Sequence, residues 1–325
     1  MHTHGLYSLA ALAFTGAALP IVALAQAYPT KAIRLIVPFP PGGSTDLMGR
    51  VLGAKFGETF GQQVIVENRP GASGMIGNEL VARAAPDGYI LTMGTIGAMS
   101  VNVSLFKSIP YDSTRDFAPI TLTGSVENLL VVHPSVPAHN VRELIALAAS
   151  KPGMLIFASS GTGNAPHLAG ELFNQLAKVK MVHLPYKGGG PAMIDLVAGQ
   201  VSLSFASMPS SLPFAKSGKL RAIAVGGAKR SPAAPEIPTV AENGLPGFDV
   251  TDWQGLLAPA KTPAAVVDRL NRETIRILGE RDVKERLAAA GLQVVTNTPT
   301  QFADFIRAEI DKWGKVIRSA GIKPE

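Results

Sequence analysis

Short apolar runs alternate along the chain with segments whose apolar residues recur every three or four positions. Ile33–Val37 is one such run, and helical spacing follows at Leu47, Met48, Val51, Leu52 and Phe56. The same reasoning predicts further strands at Val64–Glu67, Tyr89–Met93, Leu129–Val132, Leu155–Ala158, Val201–Phe205 and Leu220–Val225. This alternation is typical of an α/β fold with mainly parallel sheets.

The predicted strands fall into two series, which suggests two lobes. A Pro- and Gly-rich stretch, 231–249, separates the second series from a mainly helical tail that begins near Trp253. In this tail Thr262 is expected to cap a helix with Pro263 at its first position. The tail has too few strands to form a domain, so we expect it to pack on the first series. This predicts a hinged molecule with one lobe at 28–128 plus 251–325 and the other at 129–250.

The last predicted helix has an apolar face that we expect to be core packing. It is formed by Phe302, Phe305, Ile306, Trp313, Val316 and Ile317.

The first 27 residues resemble an export signal. Residues 6–24 are largely apolar, and Ala25-Gln26-Ala27 matches an A-x-A cleavage pattern. The segment before the apolar run lacks Lys and Arg, so a retained N-terminal anchor stays open as the alternative. We expect cleavage after Ala27 and a periplasmic mature protein of 298 residues (325 − 27).

Charge and composition narrow the class of ligand. The formal charge is +6 and the isoelectric point is near 9.5, which favours anionic partners through electrostatic attraction. Lys and Arg are scattered, only 6% of residues are aromatic, and no nucleic-acid-binding motif is present. Cys is absent, which excludes disulfides and thiol chemistry. A small acidic ligand is therefore expected, and nucleic acid is not.

Three glycine-rich turns each follow a predicted strand and precede a predicted helix. They are "FPPGGSTD" (39–46), "SSGTGNAPH" (159–167) and "PYKGGGPA" (185–192). Helix N-termini present unpaired N–H groups that bind anions, and the hydroxyls of Ser44, Thr45, Ser160 and Thr162 add donors. Each turn could also be an ordinary strand–helix connection. Their number and shared context favour a carboxylate site.

Catalytic and cofactor sites have weaker support in the sequence. The G-x-x-x-x-G-K-[ST] pattern is missing, and "GTGNAP" has Pro166 where a dinucleotide site requires the third glycine. No G-x-S-x-G motif is present, so a hydrolase would have to use Ser160 and His167. The histidines show no metal-ligand spacing. We therefore expect no catalytic residues, no cofactor and no metal, with an exported hydrolase as the alternative.

Two charged residues lie in or beside the glycine turns. Asp46 is in the first turn of its helix, where a carboxylate interacts favourably with the helix dipole. We expect it to brace the glycine loop, because an anionic ligand would be repelled by direct contact. Lys187 is either a solvated charge or an attractive group at the mouth of a cleft.

Several longer motifs resemble the Bug/TctC family, the exported solute receptors of tripartite tricarboxylate transporters. The resemblance extends over the mature chain in the expected order. It is carried by "YPTKAIRLIVPFPPGGSTDLMGR", "VENRPGASGMIGNELVARAAPDGYILTMGT", "SSGTGNAPHLAGELF", "PYKGGGPAMIDLVAGQV" and "WQGLLAPAKTP". It implies a type II periplasmic-binding-protein fold, in which two α/β lobes joined by crossover strands close on a ligand.

The resemblance also implies binding residues and partners. A ligand carboxylate would be held by backbone N–H groups and hydroxyls at Phe39, Gly42, Gly43, Ser44, Thr95, Gly97, Ser160, Gly161, Thr162, Gly163 and His167. The implied partners are the membrane components of a tripartite tricarboxylate transporter, or alternatively a signalling sensor. The receptor itself is expected to be a monomer.

One stretch departs from the pattern of amino-acid-binding relatives. Some of these carry Asp near the strand that follows "AGQV", whereas this chain has Ser204, Ala206 and Ser207 there. An uncharged end of the pocket favours a carboxylate without an amino group, such as a di- or tricarboxylate or an aromatic acid.

Overall fold

The structure, a computed structural model, describes residue 1 and residues 28–319. The predicted signal peptide falls outside the described residues apart from residue 1. Within residues 28–319, none of the helices has the length and apolar character needed to cross a bilayer.

The first lobe is built on a mixed sheet with five main strands. In chain order its N-terminal elements are β1 (Ile33–Val37), α1 (Ser44–Phe60), β2 (Val64–Asn68), a 3₁₀ turn (Ala72–Gly74), α2 (Met75–Ala82), β3 (Ile90–Thr95), a π-helical turn (Gly97–Val101), α3 (Asn102–Leu105) and β4 (Phe117–Val132). A later strand, β9 (Thr251–Pro259), completes the order β2-β1-β3-β9-β4. β1 is parallel to β2 and β3, whereas β9 is antiparallel to both of its neighbours.

The second lobe repeats the same plan. Its elements are α4 (Val141–Ser150), β5 (Ile156–Ser159), α5 (Ala165–Ala177), β6 (Val182–Pro185), α6 (Gly189–Val197), β7 (Leu203–Ser207), α7 (Met208–Lys216) and β8 (Arg221–Val225). The order is β6-β5-β7-β4, and β8 also pairs with β4. β5 is parallel to β6 and β7, and β4 is antiparallel to β7 and β8.

Two strands connect the lobes. β4 pairs with β9 from Phe117 to Glu127 and with β7 from Asn128 to Val132, so it changes partner within one continuous strand. β9 starts opposite the same point, because Thr251 is in register with Glu127. Both crossings therefore lie side by side at the base of the space between the lobes.

The C-terminal helices cover the first lobe. α8 (Ala264–Gly279) and α9 (Arg281–Ala289) share a buried apolar cluster with β1, β3 and α1. β10 (Leu292–Gln293) pairs with β4, and α10 (Pro299–Ser319) follows it. The predicted apolar face of α10 is confirmed as core packing, with Phe302, Ile306, Trp313 and Ile317 each at most 4% exposed.

Three details differ from the sequence predictions. β4 begins at Phe117, twelve residues before the predicted strand at Leu129. α7 was not predicted, because Pro209 and Pro213 lie inside it. Thr262 does not cap α8: its hydroxyl donates to the Pro259 carbonyl, and the helix begins after Pro263, at Ala264.

Candidate functional site

A cavity of about 60 Å³ lies between the lobes, at the carboxyl ends of the parallel strands. Four helices begin at it, since Ser44 starts α1, Ala165 starts α5, Gly189 starts α6 and Ser207 precedes α7. In open α/β sheets ligands bind at this edge. Unpaired N–H groups and aligned peptide dipoles at helix N-termini favour an anion.

The first wall of the cavity, defined as residues 39–46, is braced by a carboxylate. The Asp46 side chain accepts hydrogen bonds from the Gly42 N–H (3.0 Å), Arg50 Nε (3.0 Å) and Asn68 Nδ2 (2.9 Å). Asn68 Nδ2 also donates to the Phe39 carbonyl. Burial raises the pKa of Asp46, but the bonds from Arg50, Gly42 and Asn68 outweigh burial and hold it below its ordinary value. The wall is thus tied to the end of β2 by an ionised group.

The second wall, defined as residues 159–167, is braced by neutral groups. The Gly163 N–H donates to His167 Nδ1 at 3.1 Å, and Ser159 Oγ lies 2.6 Å from His183 Nε2. The two imidazoles are stacked with their centroids 4.1 Å apart. Burial lowers the pKa of His167 to about 4; burial and the neighbouring His167 lower that of His183 to about 3. Both rings are therefore neutral at pH 7.

The two walls meet at glycines. A Cβ on Gly97, just after β3, would lie 2.4 Å from Asn164 Oδ1 and 3.1 Å from the Gly163 carbonyl oxygen. A Cβ on Gly188, before α6, would lie 2.5 Å from a ring carbon of Pro40. Because a side chain at either position would push the lobes apart, these glycines permit the close approach that encloses the cavity.

The structure brings some of the predicted binding residues together at the cavity and leaves others behind it. Those that line it are Phe39, Gly43, Ser44, Thr95 and Ser160. Gly161 and Thr162 line an adjoining cavity of about 200 Å³, which shares Phe39 and Ser160. The remaining predicted positions, which shape the walls without lining either cavity, are Gly42, Gly97, Gly163 and His167.

Comparison with known proteins identifies the family. A family model described as "Tripartite tricarboxylate transporter family receptor" (TctC) matches residues 48–322. The chain belongs to the TctC family.

This chain is similar to a curated protein sequence and to proteins whose structures are solved. Protein BugT of Bordetella pertussis is 40% identical over 313 residues, which are 96% of this TctC chain and 95% of BugT. Rpa4515 of R. palustris, solved with adipate, is 36% identical with a TM-score of 0.90, over 92% of this chain and 100% of that one. MatC of Rhodopseudomonas palustris, with bound malate, is 34% identical with a TM-score of 0.84, and the match covers 89% of this chain and 100% of MatC. The predicted type II periplasmic-binding-protein fold, with two α/β lobes, a cleft and a hinge, is confirmed.

The contacts of this TctC receptor do not favour the hydrolase alternative. Ser160 lines the cavity, but His167 Nδ1 accepts from the Gly163 N–H and lies behind the wall. Within the second wall, the serine that contacts a histidine is Ser159, which is 1% exposed and does not line the cavity. Among the described residues, no three His, Cys, Asp or Glu side chains are grouped so that they could hold a metal.

Sequence reasoning missed a charged residue of the TctC cavity. Ser204, Ala206 and Ser207 do line it, as the prediction about its uncharged end requires, but Asp252 of β9 lines it as well. The end of the cavity is therefore not wholly uncharged, and the inference that the ligand lacks an amino group stays a prediction. Asp252 could have been flagged only as an acid directly before the buried run that starts at Trp253. Other unpredicted lining residues include Asn164, Ala165 and Ser210.

Proposed function

We propose that this chain is a periplasmic solute-binding receptor that captures a small carboxylate between its lobes for a tripartite tricarboxylate transporter. The observation that carries the proposal is the convergence of four helix N-termini on one interlobe cavity. Backbone N–H groups and hydroxyls form short, charge-assisted bonds with a carboxylate without requiring Arg. Solved relatives with adipate and malate support a carboxylate as the ligand.

In this proposal the predicted binding residues take two roles. Phe39, Gly43, Ser44, Thr95 and Ser160 contact the ligand, because they line the cavity. Gly42, Gly97, Gly161, Thr162, Gly163 and His167 set the shape of the walls, and Asp46 braces the first one.

The mechanism is capture followed by delivery, without chemistry. Only a ligand that binds the closed arrangement better than an open one can shift the population toward closure. The proposed hinge lies where β4 changes partner, between a lobe formed by 28–128 plus 251–325 and one formed by 129–250. Residues 1–27 act as the signal peptide, and the mature receptor acts as a monomer toward its membrane components.

A thermal-unfolding screen of the mature protein against carboxylic acids tests the proposal. A receptor should be stabilised by its ligand according to mass action, by about 2.7 kcal/mol at a hundredfold excess over Kd. Mass spectrometry should recover the acid unchanged. Turnover of the acid, or stabilisation by neutral sugars but by no acid, would contradict the proposal.

A further inference from the structure

Asp252 places a carboxyl group at the inner end of the cavity. It lies on β9 directly opposite Val126 of β4, and it lines the same space as Thr45, Thr95 and Ser207. The residue as a whole is partly exposed, but its Oδ1 atom is buried without a hydrogen-bond partner. An acid with a free buried oxygen is therefore aimed at the region where an anionic ligand would lie.

The strands around Asp252 carry two more polar side chains without partners. Gln254 is two residues further along β9, and Asn128 is two residues beyond Val126, so alternation along the strands places both on the face of Asp252. Each is fully buried, and neither side-chain amide has a hydrogen-bond partner for its nitrogen or its oxygen. A buried polar group left unsatisfied costs about 1–3 kcal/mol. Such a concentration of unsatisfied groups marks a binding region better than a structural core.

Among the described residues, no cation balances this acid. The described residues that line the cavity include no Lys, Arg or His. Near the start of α1, Asp46 and Arg50 pair with each other, and on α7 the charged residue is Lys216, exposed in the last turn. On β4, Glu127 points to the opposite face and accepts from Gln293 Nε2. β3 and β7 contribute no ionisable side chain.

Burial therefore governs the ionisation of Asp252. It raises the pKa of the carboxyl to about 7, although the Trp253 N–H partly offsets it. A second carboxylate brought close by a ligand would raise this pKa further, because two like charges at short distance cannot both remain ionised. Protonated Asp252 gains a donor that an ionised carboxylate lacks.

We propose that Asp252 contacts the ligand and selects a dicarboxylate, by donating a hydrogen bond from its protonated carboxyl to the ligand's second carboxylate. Binding then takes up one proton from solution, which comes to rest between the two carboxyl groups. The first carboxylate lies at the converging helix N-termini. The inference rests on the proposed receptor function and adds to it the ligand class and a proton linkage.

The test is calorimetric titration of the mature protein with adipate, an unbranched dicarboxylate, at pH 6.5, 7.5 and 8.5. Each titration is repeated in two buffers with different ionisation enthalpies, which counts the protons exchanged. For the unmodified receptor we expect Kd to rise about tenfold per pH unit above pH 7, with close to one proton taken up per adipate at pH 8.5.

The variant Asp252→Asn tests whether proton uptake can be removed while adipate binding is retained. The amide is uncharged at every pH and still has N–H donors, so the variant should bind adipate with a Kd independent of pH and without proton uptake. Asp249→Asn is the matched control, since Asp249 is exposed on the same crossover segment and should behave as the unmodified protein. Asp252→Ser, checked for folding by thermal unfolding, should also abolish proton uptake.

The outcomes distinguish this inference from the proposed function. Binding of adipate with a pH-independent Kd, or proton uptake that persists in Asp252→Asn, would overturn the role of Asp252 and leave the receptor function standing. Tighter binding at higher pH, with preference for an amino acid, would mean that ionised Asp252 holds an ammonium group instead. Failure of adipate, succinate and malate to bind at pH 6.5, while another carboxylic acid stabilises the protein in the thermal screen, would overturn the dicarboxylate assignment and leave the receptor function standing. Binding of no carboxylic acid at all would contradict both.

Discussion

The two walls of the cavity perform the same task with opposite chemistry. The first wall is fixed by the ionised Asp46, which accepts from the Gly42 N–H, Arg50 and Asn68. The second is fixed by neutral His167, which accepts from the Gly163 N–H and stacks on His183. Each brace accepts from a glycine N–H at the turn, so each leaves other backbone donors free for a ligand.

The two braces differ in how they respond to falling pH. The lowered pKa of Asp46 keeps the first wall ionised well into the acid range. The second wall requires both imidazoles to stay neutral, because His167 Nδ1 must accept a hydrogen bond. Since an unperturbed imidazole has a pKa near 6.5, mildly acidic pH should destabilise the second wall while the first wall stays ionised. Between pH 6.5 and pH 4 the histidines account for most of the change in stability, because the contribution of Asp46 is lost mainly below its unfolded pKa of about 3.9.

The largest expected effect is therefore acid destabilisation through the second wall. The folded-state pKa of His167, about 4, is below its unfolded value, so the neutral ring contributes stability above pH 6.5 that is lost as pH falls toward 4. A shift of this size corresponds to about 3 kcal/mol. Glu171 lies 3.9 Å from His167 Nε2, but burial raises its own pKa, which makes it a poor counter-ion. Urea unfolding across this pH range measures the loss.

Two variants identify the source of that loss. The double variant His167→Gln/His183→Gln should be less stable at pH 7 but should have a flatter stability profile between pH 6.5 and pH 4. His139→Gln is the control, because His139 is exposed and its variant should follow the unmodified profile. An equal pH dependence in all three proteins would show that the buried imidazoles are not responsible.

A smaller effect is expected when the first wall loses its brace. Asp46→Ala removes the acceptor for Gly42, Arg50 and Asn68, and hydrogen bonds to a charged group contribute about 1.5–3 kcal/mol. We expect the free energy of unfolding to fall by about 2 kcal/mol, with weaker ligand binding because the turn is no longer held. Urea unfolding at pH 7 and calorimetric titration with adipate measure the two effects.

Arg50→Ala is the informative control for this brace. The Arg50 side chain is about half exposed, so its ion pair with Asp46 should contribute under about 1 kcal/mol. The Gly42 and Asn68 bonds would remain. Equal destabilisation by the two substitutions would mean that the ion pair, and not the bond to the glycine turn, stabilises the wall.

Local sequence predicted the fold and the position of the first wall well, because both depend on short-range patterns. Alternating periodicities gave the α/β class, and the glycine turns lie at strand–helix junctions as expected. α7 was missed because two prolines lie inside a nine-residue helix. The lobe boundaries and the ligand contacts remain predictions.

The contacts of the second wall and the position of Asp252 were harder to predict from the sequence, because both depend on which way a strand residue points. Sequence proximity suggested Ser160 with His167, but side chains alternate along a strand, and Ser159 is the serine that meets His183 of the neighbouring β6. Asp252 reaches the cavity through its register with Val126, which is 126 positions away in the chain. Neither the strand register of Asp252 nor its burial can be read from the residues immediately around Asp252 in the sequence.

The smallest expected effect concerns the point where the walls touch. Gly97→Ala would place a methyl group 2.4 Å from Asn164 Oδ1 and 3.1 Å from the Gly163 carbonyl oxygen. Overpacking of this kind costs about 1–3 kcal/mol, and here the cost is incurred only when the lobes approach. We therefore expect about a tenfold rise in the Kd for adipate, equivalent to about 1.4 kcal/mol, with nearly unchanged stability of the ligand-free protein.

Gly279→Ala is the matched control for this substitution, since a Cβ there meets nothing within 4 Å. This variant should bind adipate with the Kd of the unmodified receptor. Calorimetric titration gives Kd, and thermal unfolding without ligand gives stability. A loss of stability equal to the loss of affinity would place the clash in the folded core of one lobe. An unchanged Kd in Gly97→Ala would mean that ligand binding does not require the contact between Gly97 and the second wall. The two walls would then bind the ligand without closing on each other, and the glycine would serve only the turn after β3.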